Sequence, residues 1–452
     1  MTATADVWAA VETLPAEQIR DLQLEALRRQ LTAVATGSAH YRRQWAELGW
    51  SPAELRSLDD LSALPFTDKA AYQAAVERDP PYGDLLAVPR EQVARVHFSS
   101  GTTSRPTPVA WTRADLDTWA ELYARAAYSQ GVRPGDVYQC LFSYAWFVGG
   151  LGATAGYTRL GATVIPGGSG DTERQIDTIH RYGVTAVGGT PSFLLHLAEA
   201  ARHLGTPLRY SAVRHVMVGG EPGGAVPATR AVIELEWGAR CFDGYGCLEF
   251  QPVAWECAAQ AGGHLPEDAI HAEVVDPETG TPVPDGQAGV LVLTHLAKRA
   301  TPLVRWWTGD VVVLDRSRCA CGRTHARLAG GVRGRADDML VVRGVNVFPS
   351  AVEDVIRRVA ASASEFRIVL DPALTDPATG YPTALRVQVE APGDAAGLAD
   401  RLATMLRRDL SVRAFVDVLT PGTLPRTTHK AQRVVRATPS DPRPGEVASH
   451  VP

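Results

Sequence analysis

Apolar and polar positions follow three successive patterns along the chain. Through residues 1–90 apolar residues recur at helical spacing, as in EQIRDLQLEALRRQLTAVA from Glu17, before the turn-rich stretches LPFTDKAAY and DPPYGDLLAVP. A helical N-terminal region is predicted. Beyond residue 90, short β-rich runs (ARVHF, VTAVGG, RHVMVGG, ARCFDGYG) alternate with helix-period stretches such as ADLDTWAELYARAAYSQ, DTERQIDTIHRYG and PSFLLHLAEAARHL. That alternation predicts parallel strands joined by crossover helices. Between Ala269 and Asp315 strands and turns take over, predicting hairpins that close the α/β body. After Gly334 the order strand, helix, two strands, helix, strand suits a compact α+β domain. The expected organisation is an α/β fold: a helical region at 1–90, a body at 91–335, a small C-terminal domain at 336–436, and a Pro-rich tail at 437–452 whose composition suits disorder.

At 452 residues the chain exceeds what one core organises. Its 45% hydrophobic and 21% charged residues describe an ordinary soluble protein. Lys plus Arg of 45 against Asp plus Glu of 50 gives a net charge of -5, which argues against a nucleic-acid partner. The N-terminus carries acids and arginines where a secretory signal needs an apolar run. The most apolar stretch, Leu141 to Ala162, holds five glycines, Ser143 and Arg159, and reads as buried core rather than a membrane span. Six cysteines are too sparse for a disulfide scaffold. A reducing cytoplasm and no membrane partner are expected.

Candidate chemistry begins with SSGTTSRPTP at Ser99 to Pro108, where small hydroxyl residues around a glycine let backbone and side-chain donors approach phosphate. It is not a Walker loop. VGGEPGG at Val218 to Gly224 and FDGYGCLEF at Phe242 to Phe250 follow predicted strands, where α/β sheets bind ligands. WWTGD ends at Asp310, GRADDMLVVRGVNVFPSAVED spans Gly334 to Asp354, and LPRTTHKAQR carries Lys430. Singly, such residues are more often turn formers, caps or solvated charges. The ordered set carries the argument.

Taken in this order, the motifs resemble the adenylate-forming superfamily of acyl-CoA synthetases, peptide-synthetase adenylation domains and luciferases, and within it the phenylacetate-CoA ligase family. The likeness runs from YRRQWAELGWSPAELRSLDDLSALPFTDK to the terminal lysine, with GRADDMLVVRGVNVFPSAVE its most specific stretch. It implies ATP, Mg²⁺ and coenzyme A. Ser99, Ser100, Gly101, Thr102 and Thr103 would hold the β- and γ-phosphates, and Gly219, Gly220, Glu221 and Pro222 would border the adenine. Asp243, Tyr245 and Gly246 would flank the nucleotide, Glu249 would ligate Mg²⁺, and Asp310 and Arg335 would hold the ribose. Lys430 would stabilise charge as pyrophosphate leaves. Asp337 would be the hinge of a mobile small domain that presents Lys430 first and the MLVVRGVNVF face second. Tyr144, Trp146, Phe147 and Gly244 would shape a pocket for an aryl ring.

Cys257, His264, Cys319 and Cys321 form a separate constellation. Two thiols one residue apart, with a third thiol and an imidazole from a distant loop, supply four ligands suited to tetrahedral zinc. His325 or His271 would serve in place of His264. Relatives within the resembled family often show this pattern.

The reading that results is ATP-dependent activation of a small aryl or arylacetic acid, with transfer to a thiol, chiefly coenzyme A. Departures from the family pattern occur at Ser104, Leu248 and His429, where Gly, a hydroxyl residue and Gly are usual. They keep open a specialised acceptor, such as a carrier protein or nitrite for diazotising an aromatic amine, whereas retention of Glu249, Asp310, Arg335 and Lys430 argues against a silent nucleotide-binding sensor. The sequence leaves the oligomeric state open, a dimer included.

Overall fold

The computed structural model describes residues 6–99, 106–360, 365–377, 379–391, 397–425 and 432–437. It is α/β with a large N-terminal domain and a smaller C-terminal α+β domain. The chain packs as two compact units. One holds residues 1–168, 185–188 and 242–331, and the other 169–184, 189–241 and 332–452. The small domain therefore shares a unit with a portion of the body, a grouping that the sequence pattern did not suggest.

In the first unit, helix Ala16–Gly37 buries Ile19, Gln23, Leu27, Gln30, Leu31 and Val34, one stripe at helical spacing. Helix Arg113–Ser129 opens on a reciprocal cap, in which Asp115 N donates to Thr112 Oγ1 (3.1 Å) and Thr112 N to Asp115 Oδ2 (2.8 Å). It lies against helix Gly149–Leu160 at close range. A Cβ at Gly156 would stand 2.1 Å from the Tyr123 Cβ, so only glycine permits this approach. The apolar stretch around residue 150 is thus a buried helix, and among the described residues no helix is long and apolar enough to cross a membrane.

Strands Val137–Cys140, Thr163–Ile165 and Ala186–Gly189 pair in parallel, as the alternating pattern predicts. Strand Arg95–Phe98 does not join them. It pairs antiparallel with Pro108–Trp111, because the nine residues between the two runs are too few for a crossover. The expected hairpins are present: Ile270–Val275, Ala288–His295 and Trp306–Asp315 form an antiparallel meander. Beyond it Arg327–Leu328, Gly263–His264, Ala254–Trp255 and Gly244–Tyr245 follow in antiparallel pairs.

The second unit contains helices Thr172–Arg181, Pro191–His203 and Pro227–Trp237 and strand His215–Gly219. Its small-domain portion has a four-stranded sheet in the order Ala414–Leu419, Leu385–Glu390, Phe366–Leu370, Val434–Arg436. Helix Pro349–Val359 and helix Leu398–Leu410 cover it, burying Val352, Val355, Ile356, Leu398, Leu402 and Leu406. The MLVVRGVNVF segment folds as a separate hairpin, Leu340–Val342 with Val345–Val347. Its turn is Arg343-Gly344, both at positive φ.

Candidate active site and metal-ligand cluster

The phosphate-loop motif sits between the two strands of the 95–111 hairpin. Ser99 N donates to the Thr107 carbonyl (3.2 Å) and Thr107 N to Ser99 Oγ (2.9 Å), which closes the neck of the loop. Ser100, Gly101, Thr102, Thr103 and Ser104 lie outside the described residues, as do His429 and Lys430. The same hairpin meets the loop bearing Tyr144, Trp146 and Phe147. Phe98 N donates to the Trp146 carbonyl (3.0 Å), and the Phe98 and Trp146 rings meet edge-on at 5.3 Å. Tyr144 is half-buried and shares a 2.7 Å hydrogen bond with Thr154. Trp146 stands 66% exposed at φ 57°, a costly backbone for a bulky residue. Of the three aromatics, it is the one that does not lie in a wall of protein.

Strand Arg240–Tyr245 ends in the next motif. Tyr245 donates its phenol proton to Asp310 Oδ2. Burial pushes that phenol well up, and the Asp310 charge adds to the shift. Asp310 is buried on strand Trp306–Asp315, where its N–H donates to Thr308 Oγ1 (3.0 Å) and Thr308 in turn donates to the Leu291 carbonyl (2.8 Å). A Cβ at Gly246 would stand 2.5 Å from the Gln251 amide, so any side chain there would have to displace it. Asp243 N donates to Glu256 Oε2 (2.9 Å), and Gly244 pairs with Trp255.

Glu249 is half-buried, and loss of hydration pushes its carboxyl up. Its own backbone, Cys247 and Lys69 oppose the shift, and the Asp310 carboxylate adds to it. Two recessed carboxyls that repel one another, one already holding a phenol, suit a divalent cation or a polyhydroxyl ligand better than an empty recess.

Two residues that the motifs did not single out hold this recess in shape. His295 stacks on Phe250 at 3.6 Å, accepts from Leu303 N (3.0 Å) at Nδ1 and bonds the Glu249 backbone. Burial keeps it neutral, well below its usual value. Arg305, at φ 48°, forks onto Glu273 (3.0 and 3.1 Å) and caps the Leu64 carbonyl (2.6 Å), anchoring the strand that carries Asp310. In the sequence Arg305 stands five residues before Asp310, a spacing that by itself marks neither burial nor a bracing role.

In the second unit, strand His215–Gly219 runs into Gly220, Glu221 and Pro222. Gly220 takes φ 89°, and Gly223 takes φ 155° with its missing Cβ 2.6 Å from Pro191. Glu221 Oε1 accepts from Ser192 N (2.8 Å), capping helix Pro191–His203. Arg335 forks onto Asp337 at 2.8 and 3.0 Å, both side chains largely exposed. The residue expected at the ribose is therefore tied to the expected hinge.

Cys257, His264, Cys319 and Cys321 come together, their ligand atoms all within 4.8 Å of one another. Antiparallel pairing of Gly263–His264 with Arg327–Leu328 and of His264 with Trp255 draws the three loops to one point. Cys257 Sγ lies 3.8 Å from Cys319 Sγ, and Cys321 Sγ 3.6 Å from His264 Nε2. A tetrahedral centre with metal–sulfur bonds of about 2.3 Å and metal–nitrogen bonds of about 2.0 Å has edges of about 3.8 and 3.5 Å. His264 faces the His325 carbonyl through Nδ1 (3.4 Å), which leaves Nε2 toward the sulfurs. Its imidazole draws the Cys319 thiol down. The Cys257 thiol and then His264 draw Cys321 down. His325 is excluded as an alternative, since both its nitrogens face carbonyls, of Leu265 (3.0 Å) and Val11 (3.1 Å). His271 is not in the cluster; burial holds it down at about 4.

Comparisons with known proteins bear on the family and the fold. The family model described as AMP-binding enzyme matches residues 25–296, and that of the AMP-binding enzyme C-terminal domain matches 344–437. The chain is 39% identical over 434 residues to a phenylacetate-coenzyme A ligase of Thermus thermophilus, covering 92% of this chain and 96% of the relative. Among solved structures, 2-hydroxyisobutyryl-CoA ligase in the postadenylation state with 2-HIB-AMP aligns at a TM-score of 0.91 and 31% identity, covering 97% of this chain and 94% of that one. The same ligase in the thioesterification state, with 2-HIB-AMP and CoA, aligns at 0.73, covering 96% and 93%. Two matched domains in the right order, on a chain similar to ligases along nearly its whole length, place this protein in the AMP-binding enzyme family.

Proposed function

We propose that this protein is an acid–thiol ligase that activates a small aryl or arylacetic acid with ATP, forming an acyl-adenylate and pyrophosphate. It then transfers the acyl group to coenzyme A and releases AMP. The observation that carries the reading is the recess of Tyr245, Asp310 and Glu249, set in a chain 39% identical to a phenylacetate-coenzyme A ligase. Relatives of that kind favour coenzyme A over a carrier protein or nitrite as acceptor.

In this reading the 99–103 loop holds the β- and γ-phosphates and residues 219–222 border the adenine, with Asp243, Tyr245 and Gly246 beside the nucleotide. Asp310 and Arg335 take the ribose hydroxyls. Glu249 is the residue to hold Mg²⁺, which when bound neutralises phosphate charge that would repel an attacking carboxylate. Lys430 stabilises the charge developing at the α-phosphate. Tyr144, Phe147 and Gly244 shape the acid pocket, with Trp146 at its rim. Asp337 is the hinge between a body at 91–335 and a small domain at 336–436. The Cys257, His264, Cys319 and Cys321 set fits a structural zinc, and its free thiols suit a cytoplasmic protein.

A screen of aryl and arylacetic acids for ATP-dependent pyrophosphate release, followed by mass spectrometry of products formed with coenzyme A, tests the reading. An aryl-CoA thioester with equimolar AMP is expected. Pyrophosphate release without a thioester would overturn the acceptor, and none with any aryl acid would overturn the substrate class.

A further inference from the structure

We propose that Asp354 and Thr229, with Glu353, form a latch that holds the small domain in its adenylate-forming orientation, making them positioning residues for the first half-reaction. The inference rests on the two-step activity proposed above.

Helix Pro227–Trp237 begins without a side-chain cap of its own, because its N-cap residue is Val226. Its first amides need acceptors from elsewhere. The small domain supplies one: Ala228 N donates to Asp354 Oδ1 (3.2 Å), and next to it Thr229 Oγ1 donates to Glu353 Oε1 (3.0 Å). Adjacent carboxylates of helix Pro349–Val359 thus dock on the positive end of a helix more than 120 residues earlier in the chain. Thr229 is fully buried and Glu353 nearly so, with Arg357 Nε 3.7 Å from the same Glu353 oxygen. Arg358 braces Asp354 at 2.9 Å.

A second contact lies just before the last strand of the small domain, Val434–Arg436. Arg433, three residues beyond Lys430, donates to the Phe366 carbonyl at 3.0 Å and pairs with Glu365. Burial works against its charge, and the Glu353, Glu365 and Glu221 carboxylates outweigh it. Glu221 belongs to the loop expected at the adenine, so that loop and the small domain share one set of charges around Arg433. Short directional bonds of this kind are lost on modest rotation. The related ligase that aligns at a TM-score of 0.91 is in its postadenylation state, the state to which the proposed latch belongs.

The test uses Asp354→Ala and Thr229→Val, singly and together, in the full chain. Three readouts are taken: single-turnover pyrophosphate release, acyl transfer to coenzyme A from a supplied arylacetyl-adenylate, and amide exchange in the first turn of helix Pro227–Trp237. In the double variant pyrophosphate release should slow about tenfold, the size expected from losing a helix cap and a buried hydroxyl bond. Transfer should hold or quicken, and exchange at Ala228 and Thr229 should rise while the rest of the helix stays protected. Asp354→Asn keeps an acceptor and should lie nearer to wild type. Equal slowing of both half-reactions, or slowing of transfer alone, would overturn the latch. If wild-type protein releases no pyrophosphate with any aryl acid, the activity reading fails. Exchange then decides the latch by itself, and unchanged protection in the double variant sinks it.

Discussion

The cysteine–histidine cluster and the recess around Glu249 are drawn from interleaved stretches of the chain, residues 257–321 and 245–310, yet their chemistry is opposite. In the first, three thiols and an imidazole converge within 4.8 Å of one another, and two of their separations, 3.8 and 3.6 Å, are those of tetrahedral edges. Four protein ligands are what a closed structural metal site requires. In the second, two carboxyls share a recess in which burial and mutual repulsion keep Glu249 raised, and its charge is incompletely answered by protein. A set that satisfies itself serves the fold, and a set left short of positive charge serves a ligand.

The largest expected effect lies on the catalytic side. Lys430→Ala should slow pyrophosphate release by about 10²-fold or more, as when one transition-state donor is removed, while nucleotide affinity changes little and Tm not at all. A variant that releases pyrophosphate at nearly the wild-type rate would remove Lys430 from the chemistry.

Glu249→Gln sharpens the contrast, because activity and stability should move in opposite directions. Activity should fall roughly 10²-fold with loss of the Mg²⁺ ligand. The carboxyl is raised in the folded protein, so as pH climbs past its ordinary value the unfolded chain ionises first and the native state loses ground. The ligand-free variant should therefore melt higher than wild type at pH 7 to 8 and show little difference near pH 4. A variant less stable at neutral pH would mean that the ionised carboxylate already has its partners.

Removing metal from the other cluster should give the reverse signature. Gently purified protein should carry about one zinc per chain. Cys319→Ser, or prolonged chelation, should lower Tm by about 5 °C or more, with activity unchanged at temperatures where the fold survives. Metal-free protein with a Tm indifferent to chelators would break the comparison.

The smallest effect is expected at the exposed Arg335–Asp337 fork, since such pairs contribute little to stability. Asp337→Pro fixes φ near -65° and removes a backbone donor. It should leave single-turnover pyrophosphate release within a few-fold of wild type and slow transfer to coenzyme A more. Equal loss of both, or of neither, would place the pivot elsewhere.

The helical stripe at 16–37, the parallel strands 137–140 and 186–189, and the 269–315 hairpins were legible because each follows from spacing within a dozen residues. The ligand motifs were expected for a related reason, small residues next to one another for a phosphate loop and an acid at a strand end, but Asp310 lies within strand Trp306–Asp315 rather than at its end. By itself, then, the sequence determined the fold class, the order of the main elements and the adenylate-forming family.

Tertiary structure decided what spacing does not encode. It pairs strand 95–98 antiparallel with 108–111 rather than in the parallel sheet, and it turns Trp146 toward solvent. His264 stands with the three cysteines because strand 263–264 is hydrogen-bonded beside 327–328, whereas His325 spends both nitrogens on carbonyls. His295 and Arg305 became visible only as the groups bracing the Glu249 recess, and Asp354 only as the missing cap of a helix that begins 127 residues before it. Each of these outcomes depends on which distant groups share a place from which water has been removed. Burial and neighbouring charge set the chemistry of a carboxyl or a thiol, and both are properties of the folded chain.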